Sequence, residues 1–268
     1  MKERIGLIAG NGQFPIFFAK AARLQGVEVV AIAVREETSV ELENYVHKII
    51  WIGVGHLKEF FQIMKEERLK KVVMAGQIRP AHIFDKNISI DADLKRFLKR
   101  VKDKRGNSLL GGIARMLGKM GIRLLDSSTF LKTCFVCRGV LTKTEPSPGQ
   151  WQDIRFGRGM AKRIAGLDIG QTVVVKDKVI LAVEAIEGTD QAIKRGGLLG
   201  KGAAVVVKVS APHQDMRFDI PFVGPKTMDS LVSASCPVLA MEAGKTLLLE
   251  QEKCLKIAEE NKICLVGI

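Results

Sequence analysis

The sequence predicts an α/β protein built from two domains, and three features lead to this prediction. The first 80 residues alternate short apolar segments of strand length with amphipathic segments of helix length, as parallel sheets covered by helices on both faces do. A stretch rich in Pro, Gly and Ser at 140–152 is typical of a loop or linker. The second half carries a hairpin pattern, which indicates some antiparallel pairing. We place the boundary slightly before the linker and predict domains at 1–130 and 131–268.

Each element of the N-terminal half has a local signal. The predicted strands are RIGLIAG at 4–10, VEVVAIAV at 27–34, HKIIWIG at 47–53 and KVVMAG at 71–76. The predicted helices lie at 15–26, 57–69, 92–104 and 109–120. Pro15 is tolerated in the first turn of a helix, and Gly26 favours a helix end.

The second half changes character after the linker. Two strands joined by a tight turn at 176–178 are predicted within QTVVVKDKVILAVEAIEG, followed by a helix that Thr189 can cap. Further strands are predicted at 203–211, 236–241, 245–250 and 263–267, and further helices at 225–234 and 251–260. This order again predicts an α/β domain.

Composition places the chain among ordinary soluble proteins. Of its 268 residues, 47% are hydrophobic and 26% are charged, and no apolar run approaches the roughly 20 residues that span a bilayer. The N-terminus lacks the apolar core of a signal peptide, so we expect a cytoplasmic protein. The five cysteines are expected to be free thiols, because they are odd in number and irregularly spaced in a chain expected to be cytoplasmic. Cys134 and Cys137 form a lone CFVC, without the second pair or nearby His that a zinc site requires.

A net charge of +13 bears on partners rather than on the fold. Residues 95–105 hold seven basic side chains and one acid along a predicted amphipathic helix. Three interpretations stay open for this helix: a solvated face, a nucleic-acid patch, or a surface that rests on anionic lipid. Nucleic acid is disfavoured, because aromatic residues are scarce and no nucleic-acid-binding motif is present.

The turn after the first strand is a candidate phosphate site. Gly10, Asn11 and Gly12 lead into a helix N-terminus, where backbone N–H groups attract anions. Pro15 occupies the third glycine position of the dinucleotide fingerprint, so a nicotinamide or flavin cofactor is a weaker alternative. Gln77 and Arg79 follow the strand at 71–76 and should face the same crevice, unless they form only a surface turn.

Polar residues of the second half form two further groups. Glu184 and Glu187 end an apolar strand, where carboxylates need a cation, an arginine or substrate hydroxyls as partners. Lys208 lies in an apolar strand, either snorkelling from a sheet edge or meeting a phosphate. In an extended chain, Arg217 and Asp219 would point the same way. They would form either a salt bridge at a strand end, or a catalytic carboxylate (Asp219) beside a cation (Arg217) that binds an anion. These are the parts that phosphoryl transfer requires.

Six segments taken together resemble a known family. They read GLIAGNGQFP, AGQIRP, LDIGQTVVV, LAVEAIEGTD, VVVKVSAPHQDMRFDIPFVGPKT and MEAGKTLLL, in order through nearly the whole chain. They resemble the UDP-2,3-diacylglucosamine pyrophosphatases of lipid A biosynthesis, of the LpxI two-domain type. The resemblance implies a Rossmann-like N-terminal domain, a family-specific α/β C-terminal domain and a ligand cleft between them. It further implies a homodimer and Mg²⁺-dependent hydrolysis of the diphosphate to UMP and 2,3-diacylglucosamine 1-phosphate (lipid X).

Carried over by position, the family's essential aspartate falls on Asp219, as the catalytic residue and a metal ligand. The residues expected to bind substrate are Gly10, Asn11, Gly12, Gln77, Arg79, Gln171, Glu184, Glu187, Gly188, Thr189, Asp190, Lys208 and Arg217. One departure is that Gly106 and Asn107 stand where the family pattern has an acidic pair. The basic helix would approach the anionic inner membrane peripherally, at roughly 1 kcal/mol per surface cation. The alternatives are an NAD(P)-dependent oxidoreductase and a non-catalytic lipid-binding module.

Overall fold

The computed structural model describes residues 3–78, 88–101, 106–218 and 220–268. They divide into two compact units. The N-terminal unit contains the described residues of Met1–Leu131 and of Asp215–Asp219, and the C-terminal unit contains Lys132–Gln214 and Ile220–Ile268. A short segment from the second half of the sequence therefore belongs to the N-terminal unit.

The N-terminal unit is built on a five-stranded parallel sheet. Its strands are β1 (Arg4–Ala9), β2 (Glu28–Val34), β3 (Lys48–Ile52), β4 (Lys71–Ala75) and β5 (Arg123–Leu124). They lie in the order β3-β2-β1-β4-β5, which is the doubly wound Rossmann order with its reversal between β1 and β4. The predicted parallel sheet and Rossmann-like fold are confirmed.

In the described part of this unit, four α-helices cover the sheet: α1 (Phe14–Leu24), α2 (Leu57–Glu66), α3 (Ala92–Arg100) and α4 (Gly106–Lys119). Pro15 lies in the first turn of α1, and Gly26 has a positive φ of 74° just beyond its end, as the sequence indicated. Asp91 caps α3 by accepting the Leu94 N–H. The basic run at 95–105 continues past α3 into 102–105, which lie outside the described residues.

The C-terminal unit contains a six-stranded mixed sheet in the order β6-β13-β11-β9-β7-β8. Its strands are β6 (Gly139–Val140), β7 (Thr172–Lys176), β8 (Val179–Val183), β9 (Val205–Lys208), β11 (Val238–Met241) and β13 (Cys264–Gly267). Strands β9, β11 and β13 are parallel, while β6, β7 and β8 add antiparallel pairs. A small separate sheet pairs β10 (Phe222–Val223) with β12 (Leu247–Leu248).

Helices pack on both faces of the six-stranded sheet: α5 (Pro148–Gly166) on one face, and α6 (Thr189–Leu199), α7 (Pro225–Ser233) and α8 (Gln251–Glu260) on the other. The interior strands β7, β9, β11 and β13 are buried on both sides, and their successive residues alternate between the two cores. Val206 and Leu239 pack with the α6–α8 face, whereas Val205 and Val207 pack with α5. This alternation follows from the two-residue period of a strand.

Helix α5 corrects the sequence interpretation of the linker. Residues 148–152 were expected to be loop, but they form the first turns of a 19-residue helix. Ser147 accepts the Gln150 N–H and Gln150 reciprocates, which forms a capping box, and Pro148 occupies the first helical position. The same Ser, Pro and Gly that suggested a linker are residues that begin a helix. The predicted tight turn is confirmed by left-handed Asp177 and Lys178 (φ 51° and 60°).

Candidate functional site

The turn after β1 and the turn after β4 are joined backbone to backbone at the reversal point of the N-terminal sheet. The Gly10 N–H donates to the Ala75 carbonyl at 2.9 Å, and Asn11 and Gln77 exchange N–H···O bonds of 2.6 and 3.2 Å. A Cβ on Gly10 would lie 2.4 Å from the Gln77 carbonyl oxygen, so this approach requires glycine. The structure thus brings Gln77 against the glycine turn, as the sequence indicated.

These backbone contacts reduce the number of N–H groups in the turn that are available to a phosphate. The N–H groups of Gly10 and Asn11 are donated within the protein, so they cannot also bind a phosphate. Within the described residues, the backbone N–H groups of Gly12 and Gln13 have no acceptor. They lie at the N-terminus of α1, where backbone N–H groups and the helix dipole favour an anion.

An acid that the sequence interpretation missed ties the glycine turn to the next strand. The side-chain amide of Asn11 donates to Glu37 Oε2 at 2.8 Å, and Glu37 is only 8% exposed. The neighbouring Thr38 donates its hydroxyl to the Ala9 carbonyl at 2.7 Å. Asn11 is therefore held by an internal partner 26 residues away in sequence.

The segment around Arg217 is a turn rather than extended chain, which corrects the expected strand geometry. The Phe218 N–H donates to the Asp215 carbonyl at 3.0 Å. The Arg217 guanidinium forms two bonds to the Asp215 carboxylate, of 2.9 and 2.7 Å. This contact lowers the pKa of Asp215 below its usual range. Asp215, two residues before Arg217, is thus the partner that the sequence interpretation overlooked.

Ser127 and Phe218 anchor this segment in the N-terminal unit. The Ser127 hydroxyl lies 2.7 Å from the Met74 carbonyl of β4 and 2.9 Å from the Arg217 carbonyl. The Phe218 side chain packs against the core of the same unit. Arg217 is therefore held near the carboxyl ends of β4 and β5, on the edge that also carries the glycine turn.

Three sequence predictions lie outside the described residues. They concern the two site residues Asp219 and Arg79, and the side chains of Gly106 and Asn107 that replace the acidic pair of the family pattern.

A buried charge pair forms the centre of the predicted residues in the C-terminal unit. Lys208 is 6% exposed and lies on β9, an interior strand, so it does not snorkel from a sheet edge. Its ammonium group donates to Thr189 Oγ1 at 2.8 Å and to Thr172 Oγ1 at 3.4 Å. The Glu184 carboxylate is 4.0 Å away. The register of the sheet places Thr172 directly opposite Lys208.

Glu184 follows β8 and accepts bonds from the Thr189 hydroxyl (2.6 Å) and the Gln171 backbone N–H (3.2 Å). Burial raises the pKa of Glu184, but the Lys208 charge and these hydrogen bonds outweigh it, so the pKa lies below its usual value. Thr189 is therefore not the helix cap that the sequence suggested. Gly188 takes the N-cap position with φ 83°, and the Thr189 hydroxyl links the two charges.

The side chains of Glu187, Asp190 and Gln171 have bonding partners outside the Lys208–Glu184 pair. Glu187 is exposed and forms a 2.7 Å ion pair with Arg195. Asp190 accepts the Thr227 hydroxyl at 3.1 Å. The Gln171 side-chain amide donates to Gln214 at 3.3 Å. Of this group, then, Lys208, Glu184 and Thr189 form one connected cluster.

Two family models match this chain, one in each half. The family model of the LpxI N-terminal domain matches residues 4–134, and the model of the LpxI C-terminal domain matches residues 137–266. The chain belongs to the LpxI family. The resemblance seen in the sequence motifs is thereby confirmed. Among curated proteins, UDP-2,3-diacylglucosamine pyrophosphatase LpxI of Caulobacter vibrioides is 27% identical over 278 residues, covering 99% of this chain and 98% of the relative.

Solved structures add little to the LpxI assignment. The biotin carboxylase domain of Hydrogenobacter thermophilus 2-oxoglutarate carboxylase is 15% identical with a TM-score of 0.29, covering 67% of this chain and 36% of that one. Phosphoribosylglycinamide synthetase of Anaerococcus prevotii is 14% identical with a TM-score of 0.28, covering 72% and 34%. This chain spans about a third of the length of these proteins, and likenesses this low carry no argument.

A second charged cluster of this LpxI chain escaped the sequence interpretation. Lys162 on α5 forms a 2.6 Å ion pair with Glu242, which follows β11. Glu242 also accepts the N–H and the hydroxyl of Ser210, both at 2.8 Å. The local sequence gives no signal for this cluster, because its members come from three separated segments.

In the described parts of the chain, no three His, Cys, Asp or Glu side chains converge in a way that could hold a metal ion. Among the helices that the structure describes, none is long and apolar enough to cross a bilayer.

Proposed function

We propose that this LpxI chain hydrolyses the diphosphate of UDP-2,3-diacylglucosamine in lipid A biosynthesis. The observation that carries the proposal is the match to a curated pyrophosphatase of that name over 99% of this chain. Water would add across the P–O–P bridge, so that one phosphorus gains a hydroxyl and the other keeps the bridging oxygen. The products are UMP and 2,3-diacylglucosamine 1-phosphate.

The N-terminal unit supports this proposal with groups that bind phosphate. The N–H groups of Gly12 and Gln13 lie at a helix N-terminus, and Arg217 lies on the same edge of the sheet. Cations and oriented N–H groups offset the charge that develops on phosphoryl oxygens. We therefore propose that the Gly12 N–H binds a substrate phosphate, and that Gly10 and Asn11 contribute to the substrate site by holding the turn in shape. Gln77, Arg79 and Arg217 complete the proposed substrate-binding residues of this unit.

The C-terminal unit supports the proposal with the Lys208–Glu184–Thr189 cluster. The Lys208 ammonium is oriented by two hydroxyls and balanced by the Glu184 carboxylate 4.0 Å away, and as a cation held in place it can donate to an anionic substrate group. We include in the proposed substrate site Gln171, Glu184, Glu187, Gly188, Thr189, Asp190 and Lys208.

Asp219 is the proposed catalytic residue and metal ligand, with Mg²⁺ as the cofactor. Two described acids near this edge are already engaged: Asp215 by Arg217, and Glu37 by Asn11. Mg²⁺ is commonly held by one or two carboxylates together with substrate phosphates and water, so a single further carboxylate suits it. When bound, the ion would offset the negative charge of the diphosphate.

The proposal extends to the setting of the enzyme. We propose an N-terminal domain at 1–130 and a catalytic C-terminal domain at 131–268. We further propose a cytoplasmic homodimer that associates peripherally with the anionic inner membrane, where its lipid substrate resides. Nucleic acid is not among the proposed partners.

The test is the release of UMP and lipid X from UDP-2,3-diacylglucosamine with Mg²⁺. The wild type, Asp219→Ala and a control, Asp229→Ala, would be compared. Asp229 is an exposed acid on α7. We expect activity in the wild type and the control, and a loss of at least about 100-fold in Asp219→Ala, because it removes the proposed catalytic group.

Inactivity of the wild type on intact substrate would contradict the proposed reaction. Full activity of Asp219→Ala would leave the reaction standing and overturn the role of Asp219. The two alternatives predict other results: an oxidoreductase would show a thermal shift with a nicotinamide nucleotide, and a lipid-binding module would bind lipid equally well with either aspartate replaced.

A further inference from the structure

A cavity of about 500 Å³ opens at the carboxyl ends of β2 and β3 in the N-terminal unit. It lies within the range of roughly 300–1,000 Å³ that is usual for small-ligand sites. Its lining includes Arg35, Glu36, Gly53, His56, Glu59 and Ser89. None of these residues belongs to the substrate site proposed above.

Two consecutive acids at the end of β2 have different surroundings. Glu37 is buried and bonded to Asn11 of the glycine turn. Glu36 is exposed and lines the cavity, where its Oε2 accepts the Val54 N–H at 3.1 Å. No donor in the described part of the chain reaches the second oxygen of Glu36, Oε1. Glu36 therefore contributes to the cavity lining a carboxylate whose Oε1 accepts no bond from the described residues. This oxygen lies beside Gly53, another lining residue, at 3.6 Å from the position that a Cβ on Gly53 would take.

The cavity lies within reach of the phosphate-binding turn. Strand β2 is hydrogen-bonded to β1 on one side and to β3 on the other. Neighbouring strands are about 4.8 Å apart, so the ends of β2 and β3 lie roughly 5–10 Å from the end of β1. In doubly wound nucleotide-binding sheets, an acid at the end of the second strand accepts a ribose hydroxyl while the phosphate lies at the first turn.

We propose that this cavity binds the ribose of the uridine nucleotide, with Glu36 Oε1 accepting a bond from the ribose diol. The 5′-phosphate then points toward the N–H groups of Gly12 and Gln13. Arg35 and His56 line the same cavity and offer polar groups to the base. This inference rests on the proposed function, because it takes the nucleotide from the substrate named there.

The test measures UMP binding to the full chain by calorimetry, with Glu36→Gln and a matched control, Glu28→Gln. Glutamine keeps an oxygen for the Val54 N–H but lacks the carboxylate charge. Glu28 lies at the opposite end of the same strand. We expect Glu36→Gln to weaken UMP binding by about tenfold or more, as the loss of a hydrogen bond to a charged group does, and Glu28→Gln to have no effect.

A second ligand makes the test specific for the ribose. The 2′,3′-dideoxy form of UMP lacks the hydroxyls that Glu36 would bind. In the wild type it should bind about tenfold more weakly than UMP. In Glu36→Gln the two ligands should bind almost equally, because the interaction is already lost.

The proposal is overturned if the wild type does not bind UMP, if Glu36→Gln binds UMP as tightly as the wild type does, or if the dideoxy form binds as tightly as UMP. Preference for NADH over UMP would also overturn it and would favour the oxidoreductase alternative.

The measurements distinguish a failure of the ribose site from a failure of the proposed reaction. UMP binding that depends on Glu36, without hydrolysis of the lipid substrate, would refute the reaction alone. Hydrolysis with unchanged UMP affinity in Glu36→Gln would refute the ribose site alone.

Discussion

Replacing Lys208 by methionine should strongly destabilise the C-terminal unit, because it leaves the Glu184 carboxylate buried without its cation. The methionine side chain has a similar length and suits a position that is 6% exposed. Glu184 keeps the Thr189 hydroxyl and the Gln171 N–H as donors. The loss is therefore mainly that of the charge 4.0 Å away.

The magnitude follows from that separation. Two unit charges 4.0 Å apart attract by roughly 4 kcal/mol at an effective dielectric constant of about 20. Removing one partner of a buried pair costs about 3–5 kcal/mol in measured cases. We expect Lys208→Met to lower the free energy of unfolding by about 3–5 kcal/mol. The double variant Lys208→Met/Glu184→Gln should recover at least half of that loss, because no unpaired charge remains.

The pH dependence has a definite sign. In the wild type the pKa of Glu184 is lowered by folding from 4.5, so its contribution is present above that pH and is lost as pH falls through the folded value. In Lys208→Met the attraction is gone, and burial then raises the folded pKa of Glu184. The variant is therefore penalised most at high pH. The difference between wild type and variant should be largest near pH 8 and should narrow as pH falls toward 4.5.

The assay is urea denaturation followed by tryptophan fluorescence. The chain has two tryptophans, Trp51 in the N-terminal unit and Trp151 on α5 in the C-terminal unit. A Trp51→Phe background leaves Trp151 to report the C-terminal unit alone. A Lys208→Met variant within about 1 kcal/mol of its background at pH 8, below the range for a broken buried pair, would refute the stabilising role of the Lys208–Glu184 pair. A double variant less stable than the single one would refute it too.

Two further predictions use matched sites in the same chain. Gly157→Ala on α5 should destabilise by about 1–3 kcal/mol, because its Cβ would lie 2.8 Å from Val207 Cγ2. Gly159→Ala, whose added Cβ would meet nothing within 4 Å, should stabilise by up to about 1 kcal/mol in the same urea denaturation followed at Trp151; equal effects of the two substitutions would contradict the close packing at Gly157. Burial raises the pKa of Cys236 to about 11, and burial together with nearby Glu250 raises that of Cys254 to about 12. At pH 8 a thiol reagent should therefore modify exposed Cys137 and half-buried Cys134 rapidly, and Cys236, Cys254 and Cys264 only on unfolding; rapid native modification of all five would refute their burial.

Much of the fold was predictable because its signals are local. The alternation of strands and helices, the hairpin at 176–178 and helix α8 at Gln251–Glu260 all follow from the spacing of apolar residues and turn formers. Helix α5 was missed at its start, because Ser, Pro and Gly mark both loops and helix N-termini. The helix start is defined by the capping box, in which the Ser147 and Gln150 side chains each accept the other residue's backbone N–H.

The sequence by itself determined which residues are candidates for the functional site: the glycine turn with Gln77, and the strand that carries Lys208. Only the tertiary structure decided their partners. Lys208 contacts Thr172 across 36 positions of sequence, and Asn11 contacts Glu37 across 26. These pairings depend on strand order and register, which periodicity does not encode. Local spacing fixes what each segment becomes, whereas packing between distant segments fixes which charge each side chain meets.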